Sequence, residues 1–379
     1  MLTLTDEQVA FVEAIRDFAR RECGTREQRE ALTDHGREPH NQELYERIAK
    51  LGWVGVSIPE AYGGSGGGHV DMCLLCEEFA RGQIPMGFFP ITMMAARPVE
   101  RFATDELKEE ILTGIVDGCV EAIAMSEPEA GSDVGSLTCR AERSNGSYVI
   151  NGQKTWITGA HAATHTLLVC RTSRSDDKHH GLSMISIPAG ADGMEVRPIE
   201  TMGGREVNDM YFTDCRIPSE RLIGREDHAW TQLMAGLNNE RLIIAAQSLG
   251  MAQRAFDDVL AYVKERKQFG RPIGSFQTLK HRFADLATEI EATRLLVYSV
   301  ASRADAQPEA MLPREASMAK LKSTELAKRM TLEAMQMMGG AGYAVEYDME
   351  RQVRTALVTT IYGGTSEIQR EIISKTFGL

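Results

Sequence analysis

The period of the hydrophobic residues changes twice along this chain of 379 residues, and this change constrains the fold more than any other feature. In residues 1–118 and 226–379, apolar residues recur every three to four positions, which is typical of amphipathic helices. In residues 119–225 the period is two, and Gly, Asp, Ser and Pro separate the segments, which indicates strands. We therefore predict a mostly helical α+β protein with three domains at these bounds. They are an N-terminal helical bundle, a central antiparallel β domain (a barrel or sandwich) and a C-terminal four-helix bundle.

Local signals refine this division. Thr5-Asp-Glu-Gln8 is a capping-box pattern that predicts the start of the first helix. In the central domain, Asn151-Gly152 is a hairpin signal, so residues 148–150 and 155–157 are expected to pair as antiparallel neighbours. Further strands are expected over residues 165–171, 181–187 and 207–215.

Charge excludes several classes of partner. The formal net charge is -12 and the pI is near 5.4, which argues against binding nucleic acid or an anionic membrane through a general electrostatic field. The chain has no apolar run of 18 residues and no N-terminal secretory pattern, so we expect neither a membrane span nor export. An anionic ligand would have to be bound by local donors.

Cysteine and histidine usage predicts no metal site. The seven cysteines are odd in number and scattered, which fits a reducing, cytoplasmic compartment. Cys73 and Cys76 form the C-x-x-C pair, but they lie in a helical apolar pattern without a second pair, so we expect two buried side chains. His179 and His180 lie in a polar turn and are expected to be solvated.

Two segments predict two walls of one site. The first, residues 124–133, changes from an apolar run to Ser, Pro and Gly, the composition of a tight loop with exposed backbone donors. The second, residues 151–159, carries Trp156 and Thr158 on one face of a strand, where an indole could cover a flat ring and a hydroxyl could bond its edge. A Trp beside a Thr is also common in an ordinary core, and the second segment alone does not decide between these interpretations.

Together the two segments closely resemble the acyl-CoA dehydrogenase family, flavoenzymes that oxidise acyl-CoA thioesters to 2-enoyl-CoA. Residues 266–270, 276–277, 336–340 and 361–367 resemble further segments of the family in the same order. The resemblance covers essentially the whole chain. It implies the family's three-domain architecture, FAD as cofactor, an electron-transferring flavoprotein as electron acceptor, and a role in fatty acid or lipid catabolism. It also implies a homo-oligomer, commonly a dimer of dimers.

The chemistry requires a base for the α-proton and an acceptor for the β-hydrogen as hydride, which only a cofactor can supply. Much of the family places a Glu directly after the Tyr of a Tyr-Glu-Gly-Thr motif, but this chain has Gly363 there. Long-chain and isovaleryl types supply the base from a Glu-Arg-Leu motif on a C-terminal-domain helix, and Leu237-Asn-Asn-Glu-Arg-Leu242 matches it. Glu240 is therefore the predicted base, Glu127 and Glu367 being its rivals.

The remaining site residues follow from the resemblance. Met125 and Ser126 resemble residues that bond the flavin pyrimidine edge, Trp156 one that stacks beside the ring, and Thr158 one that bonds N5. The predicted cofactor contacts also include Arg266, Phe269, Gln277, Gln336, Gly340, Thr365 and Glu367. The predicted substrate contacts are Ser132, Tyr362, Gly363 and Arg241, although Arg241 could instead close an interhelical salt bridge.

Two alternatives stay open at this point. An acyl-CoA oxidase would use the same residues but allow oxygen to reach the reduced flavin. A catalytically silent subunit of a hetero-oligomer would explain the loss of the usual base at Gly363, but it predicts incomplete FAD loops. Phe88, Phe89, Met93 and Met94 could line an acyl pocket or fill the core, and the acyl group is not predicted.

Overall fold

The computed structural model describes residues 3–308 and 310–379, apart from the side chains of residues 234–238. It contains the predicted order of helices, strands and helices. The first helices are α1 (Asp6–Cys23), α2 (Arg26–Leu32), α3 (Gln42–Ala49), α4 (His69–Arg81), α5 (Phe89–Phe102) and α6 (Asp105–Val116). The strands are β1 (Glu121–Ala124), β2 (Arg140–Ser144), β3 (Ser147–Thr158), β4 (His165–Arg171), β5 (Leu182–Pro188), β6 (Met194–Thr201), β7 (Gly204–Pro218) and β8 (Leu222–Ile223). The later elements are α7 (Ala229–Glu265), β9 (Lys267–Gln268), β10 (Arg271–Pro272), α8 (Gln277–Ala306), α9 (Pro313–Met338), α10 (Gly340–Tyr343), α11 (Met349–Val358) and α12 (Ser366–Lys375).

The chain forms two compact units, each built from separate stretches of the sequence. The helical unit comprises Met1–Gly36, Gly68–Ile84 and Arg241–Leu379, and the sheet unit comprises Arg37–Gly67 and Pro85–Glu240. These bounds differ from the three domains predicted over 1–118, 119–225 and 226–379, which stay a prediction.

In the helical unit, α9 packs against α8, α11 and α12, and α4 packs against α1 and α8. The capping box predicted for α1 is present, because the Thr5 hydroxyl accepts from the Gln8 backbone N–H and the Gln8 side chain accepts from the Thr5 N–H. A buried polar cluster joins α4 to α8: Glu77 accepts from the Tyr298 hydroxyl at 2.7 Å and from the Arg294 guanidinium at 2.9 Å.

Cys73 and Cys76 are both buried on α4, as the helical pattern predicts. Burial raises the pKa of the Cys76 thiol to about 12, so this thiol stays protonated and unreactive at neutral pH. Among residues 3–308 and 310–379, no group of three or more His, Cys, Asp and Glu side chains could hold a metal ion. None of the helices in the described chain is long and apolar enough to cross a membrane.

In the sheet unit, the strand order is β6-β7-β3-β2-β4-β5-β8, with β1 beside β4. The pairings are antiparallel, as predicted, except that β1 and β2 each pair with β4 in parallel. The predicted fold class is confirmed: helices precede and follow a central sheet along the chain.

The predicted hairpin at Asn151-Gly152 is wrong. β3 runs through both residues as one strand, and Gly152 lies at an irregularity in its pairing with β7. A Cβ on Gly152 would lie 2.7 Å from the Cα of Cys139, so glycine is required there for close approach of the backbone. The turn between β2 and β3 is instead Asn145-Gly146, whose φ angles of 50° and 75° match the hairpin turn that Asn-Gly favours.

Candidate functional site

Direct hydrogen bonds join the two segments that the sequence predicts to be walls of one site. The backbone N–H of Thr155 donates to the Ser126 carbonyl at 3.0 Å. The Lys154 ammonium donates to the Met125 carbonyl at 2.8 Å. The loop that follows β1 is therefore fixed against the C-terminal half of β3, with Met125 and Ser126 both partly exposed.

A buried ion pair strengthens this connection. The Glu127 carboxylate contacts the Lys154 ammonium at 2.8 Å and also accepts from the backbone N–H of Thr138 and Cys139 at 2.7 and 2.9 Å. Burial alone would raise the pKa of Glu127, but Lys154 and these donors outweigh it and hold the pKa below its ordinary value. The carboxylate is thus ionised and committed to holding the loop, which argues against Glu127 as the base.

Trp156 lies at a bulge in β3. Lys154 pairs with Met210 and Ile157 with Asn208, so two residues of β3, Thr155 and Trp156, face one residue of β7. The bulge allows Lys154 and Thr155 both to be buried and gives Trp156 a left-handed φ of 64°, which is unusual for a bulky residue. The indole is 60% exposed, and its face is available to a flat ligand.

Thr158 follows on the same strand and is partly exposed, whereas Ile157 between them is buried. This alternation keeps Trp156 and Thr158 on the side of the strand away from the core. Trp156 is itself the second residue of the bulge, and the alternation of exposed Trp156, buried Ile157 and partly exposed Thr158 continues beyond it.

An aromatic stack supports the next residue, Gly159. A Cβ on Gly159 would lie 3.1 Å from the Phe88 ring, whose other neighbours are His40, stacked with centroids 4.7 Å apart, and His161, edge-on at 5.3 Å. Burial lowers the pKa of His40 to about 4, so its imidazole is neutral at physiological pH. His161 is held by Asn208. No local pattern in the sequence signals this stack.

The residues proposed as alternatives for an acyl pocket are mostly core. Phe88, Phe89 and Met93 are at most 2% exposed. Met94 is partly exposed. Ser132, the predicted CoA contact, is exposed on the loop after β1.

Glu240 lies on α7 in the sheet unit and is partly exposed. The turn that follows is buried as predicted, with Leu242 to Ala246 each at most 1% exposed. Arg241 is 7% exposed and belongs to the helical unit.

The other predicted cofactor residues lie in the helical unit. Arg266 precedes the β9–β10 hairpin, whose turn is formed by Phe269 and Gly270 with φ angles of 53° and 76°. Phe269 is 92% exposed and lies edge-on to Phe276 at 6.0 Å. Gln277 is exposed and is the first residue of α8, which follows this hairpin along the chain.

The segment 336–340 ends α9 with an open backbone. Gly339 has a φ of 61°, and among the described residues no atom beyond the adjoining backbone lies within 4 Å of a Cβ built on Gly339 or Gly340. Gln336 and Gly340 are exposed. Gly339 is an ordinary helix stop, and its exposure also leaves room for a ligand to approach the main chain.

Residues 362–365 form a turn before α12 that two buried side chains hold in place. The Lys320 ammonium donates to the Gly364 carbonyl at 2.8 Å, and the Gln369 amide donates to the carbonyls of Gly363 and Gly364 at 3.0 Å each. Gly363 has a φ of 61°, so a glutamate in its place would adopt a left-handed conformation. This turn presents the Tyr362 side chain and a partly exposed backbone to solvent.

Thr365 caps α12 by accepting from the Ile368 N–H at 3.3 Å, and Glu367 lies in the first turn. The backbone N–H of Glu367 itself and the Thr365 hydroxyl lower the pKa of this exposed carboxyl group. A lowered pKa makes this carboxylate a weaker base, which argues against this rival of Glu240.

Two residues that organise the site were missed in the sequence. Lys154 has the strand parity of the buried Tyr148 and Ile150, and Lys320 lies four residues after the buried Ala316 on α9. A lysine on the buried face of a periodic segment is the signal that could have identified both, because a buried ammonium requires acceptors.

Comparisons with known proteins cover the whole chain. Family models of the acyl-CoA dehydrogenase N-terminal, middle and C-terminal domains match residues 5–119, 122–215 and 227–378. A probable acyl-CoA dehydrogenase, YngJ of Bacillus subtilis, is 35% identical over 98% of both chains. The subunit CarC of a caffeyl-CoA reductase-Etf complex of Acetobacterium woodii is 37% identical over 95% of both. Mitochondrial isovaleryl-CoA dehydrogenase of Solanum tuberosum is 34% identical over 99% of this chain and 91% of its own.

Solved structures agree with these relatives. Butyryl-CoA dehydrogenase of Megasphaera elsdenii superposes with a TM-score of 0.90 at 30% identity, covering 100% of both chains. An FAD complex of PigA superposes with a TM-score of 0.92 at 28% identity, covering 100% of this chain and 99% of that one. The comparisons confirm the family predicted from the sequence, and they confirm that the protein is an oxidoreductase. The chain belongs to the acyl-CoA dehydrogenase family.

Proposed function

We propose that this chain is an FAD-dependent dehydrogenase that converts an acyl-CoA thioester to the 2,3-enoyl-CoA, with Glu240 as the base that removes the α-proton. FAD supplies the hydride acceptor, flavin N5, for the β-hydrogen. The observation that carries the proposal is the joining of the loop after β1 to the bulge of β3. Together they present Met125, Ser126, Trp156 and Thr158 toward solvent on a rigid support.

These four side chains fit a flavin. The exposed indole of Trp156 offers a flat apolar face, while the hydroxyls of Ser126 and Thr158 can bond the polar edge of an isoalloxazine ring. The buried ion pair of Lys154 and Glu127 holds the two segments together before the ligand binds. Binding therefore costs little conformational entropy in these segments.

The helical unit offers groups that suit a diphosphate. Arg266 is exposed, and the open backbone of Gly339 and Gly340 allows an anion to approach closely. In the proposal, Arg266, Phe269, Gln277, Gln336, Gly340, Thr365 and Glu367 bind FAD held by a neighbouring copy of the chain, in a homo-oligomer organised as a dimer of dimers.

Two observations support Glu240 as the base. Glu240 is partly exposed and directly precedes a fully buried apolar turn of α7, residues 242–246, so its carboxyl group lies at the edge of an apolar surface. The alternative position, Gly363, has a left-handed φ that disfavours glutamate. Ser132, Tyr362, Gly363 and Arg241 are proposed as substrate contacts, with Arg241 placing the base rather than reacting.

An electron-transferring flavoprotein is the proposed electron acceptor. The related CarC is a subunit of a caffeyl-CoA reductase-Etf complex, which supports this partner class. Reduction of this partner by the acyl-CoA-treated protein would test the assignment directly.

The first experiment is anaerobic mixing of the FAD-loaded protein with short, long, branched and ring-bearing acyl-CoAs, followed at the flavin absorbance. Bleaching by one class identifies the substrate. In Glu240→Gln the rate of bleaching should fall at least the roughly 10²- to 10⁴-fold that a general base contributes. The FAD content should not change. Glu265→Gln, an exposed glutamate at the end of the same helix, is the matched control. Bleaching of Glu240→Gln at the parent rate would reject Glu240 as the base.

A further inference from the structure

A network of contacts links the loop that carries Ser132 to the loop between β4 and β5. We call residues 131–139 the substrate loop and residues 172–181 the bridging loop. The Arg171 guanidinium donates to the carbonyls of Gly135 and Leu137 in the first, and to those of Lys178 and His180 in the second. The distances lie between 2.8 and 3.2 Å, so one side chain fixes both loops.

An exposed ion pair adds to this link, since the Lys178 ammonium lies 2.5 Å from the Asp133 carboxylate. Asp133 directly follows Ser132, the proposed CoA contact. A surface pair of this kind contributes little energy, and its value here is that it sets the spacing of the two loops.

The bridging loop is also attached to the start of α7. The Thr172 hydroxyl donates to the Asp227 carboxylate at 2.6 Å, and the Asp227 N–H donates to the Ser183 hydroxyl at 2.8 Å. The His179 ring stacks on Trp230 in the first turn of the helix, with centroids 4.0 Å apart and planes 34° apart. The expectation that His179 is solvated is therefore wrong, because the tertiary fold provides an aromatic partner for it.

His179 also contacts the substrate loop. A Cβ built on Gly135 would lie 3.0 Å from the Nδ1 atom of His179, so the ring packs directly on the glycine backbone. That nitrogen is buried and has no hydrogen-bond partner in the described part of the chain. The imidazole is held there by packing between Gly135 and Trp230.

We propose that His179 is a positioning residue that ties the substrate loop to the first turn of the helix carrying Glu240. The inference rests on the proposed function. Glu240 lies ten residues after Trp230, or roughly 15 Å along the same helix at 1.5 Å per residue. A shift of the first turn therefore displaces the base relative to the bound thioester.

The decisive test is a double-mutant cycle between Gly135→Ala and His179→Ala. In the parent, the new methyl group must push the His179 ring away. In the His179→Ala background that space is vacant. We expect Gly135→Ala to weaken acyl-CoA binding and flavin reduction in the parent, but to have less than a two-fold effect when His179 is already alanine, because residues in contact couple.

The readouts are the apparent Kd for the acyl-CoA and the limiting rate of flavin reduction, measured separately. His179→Ala should raise the first and lower the second, each by about five-fold or more, within the ~10²-fold that a displacement of about 1 Å can cost. His179→Phe keeps a flat ring and should retain both constants within two-fold. His180→Ala removes the neighbouring side chain, which is 72% exposed, and serves as the control.

A third readout does not depend on catalysis. The emission of Trp230, measured as the difference from Trp230→Phe, should change in Gly135→Ala and in His179→Ala, but Gly135→Ala should add nothing to His179→Ala. If no acyl-CoA reduces the flavin of the parent protein, the proposed function fails. The emission cycle still shows whether His179 couples Gly135 to Trp230.

Either of two results would overturn the inference if His179→Ala folds. One is a His179→Ala protein, with normal FAD content, whose binding and reduction constants both stay within two-fold of the parent. The other is Gly135→Ala acting equally in both backgrounds. Should His179→Ala fail to fold, Gly135→Ala alone with unchanged Trp230 emission and reduction rate would also reject the positioning role.

Discussion

At the residue scale, the organisation of the site depends on a lysine that the solvent does not reach. Lys154 is fully buried and donates to the Met125 carbonyl and the Glu127 carboxylate. A charge in such a position is stable only while its partners are present. The bulge begins directly after Lys154, and it turns the indole of Trp156 toward solvent.

We predict that Lys154→Met destabilises the protein by about 3 to 5 kcal/mol, the cost of leaving a buried charge without its partner. The measurement is urea unfolding of the FAD-free protein. In the double variant Lys154→Met/Glu127→Gln the orphaned charge is gone, so its stability should be closer to the parent than that of Lys154→Met alone. A double variant less stable than the single one would contradict this prediction.

His165 gives a prediction about pH. Its two ring nitrogens contact Glu121 at 3.1 Å and Glu110 at 2.9 Å. Burial alone would lower the pKa of His165, but the two carboxylates outweigh it and raise the pKa above its ordinary value of 6.5. A raised pKa in the folded state means that the imidazolium contributes stability below pH 6.5, and that this contribution is lost as the pH rises through the folded value.

The apparent melting temperature should therefore fall between pH 6 and pH 8 more steeply in the parent than in His165→Gln, which has no such proton to lose. Parallel pH profiles for the two proteins would show that His165 is not the titrating group.

At the element scale, β3 shows how one strand can serve two purposes. Its first half pairs regularly with β2, and its second half bulges to expose Trp156. Between them, Gly152 lies where the backbone of Cys139 approaches closely.

We predict that Gly152→Ala destabilises the protein by about 1 to 3 kcal/mol through overpacking, in addition to the strain of a φ of 146°. The matched control is Gly146→Ala at the tip of the β2–β3 turn, where φ is 75° and, in the described part of the chain, no atom other than those of the adjoining residues lies within 4 Å of the added Cβ. It should cost only the roughly 1 to 2 kcal/mol of a left-handed residue. Thermal unfolding of both variants makes the comparison, and a larger loss at Gly146 would refute it.

At the scale of the whole molecule, several aromatic side chains of the helical unit are open to solvent. Phe269 and Tyr343 are 92% and 81% exposed. Burying such rings is favourable, and they lie on or directly after segments proposed to reach the FAD of a neighbouring copy.

We predict that light scattering coupled to size exclusion gives a mass near four times the 41.9 kDa of one chain. Phe269→Ser should lower the retained FAD together with the fraction of assembled protein, whereas substitution of Met311, which is 55% exposed and outside these segments, should change neither. A monomeric, FAD-loaded parent would refute the proposed sharing of the cofactor.

Much of the molecule follows from the sequence because its signals are local. Hydrophobic period, caps and glycine stops depend on residues within a few positions of each other. They predicted the order of helices and strands, the start of α1 and the buried turn after Glu240. The resemblance of separate segments to one family predicted the family itself, since such motifs keep their order along a chain.

Only the tertiary structure decided features that depend on what packs against a residue. Asn151-Gly152 has the composition of a turn, but Asn151 pairs with β2 and Gly152 with β7, which keeps both residues in a strand. Glu127 and Lys154 look like surface charges until they are buried together, and His179 looks solvated until Trp230 covers it. Burial, close approach and the partners of buried charges join residues distant in sequence, and no local pattern records them.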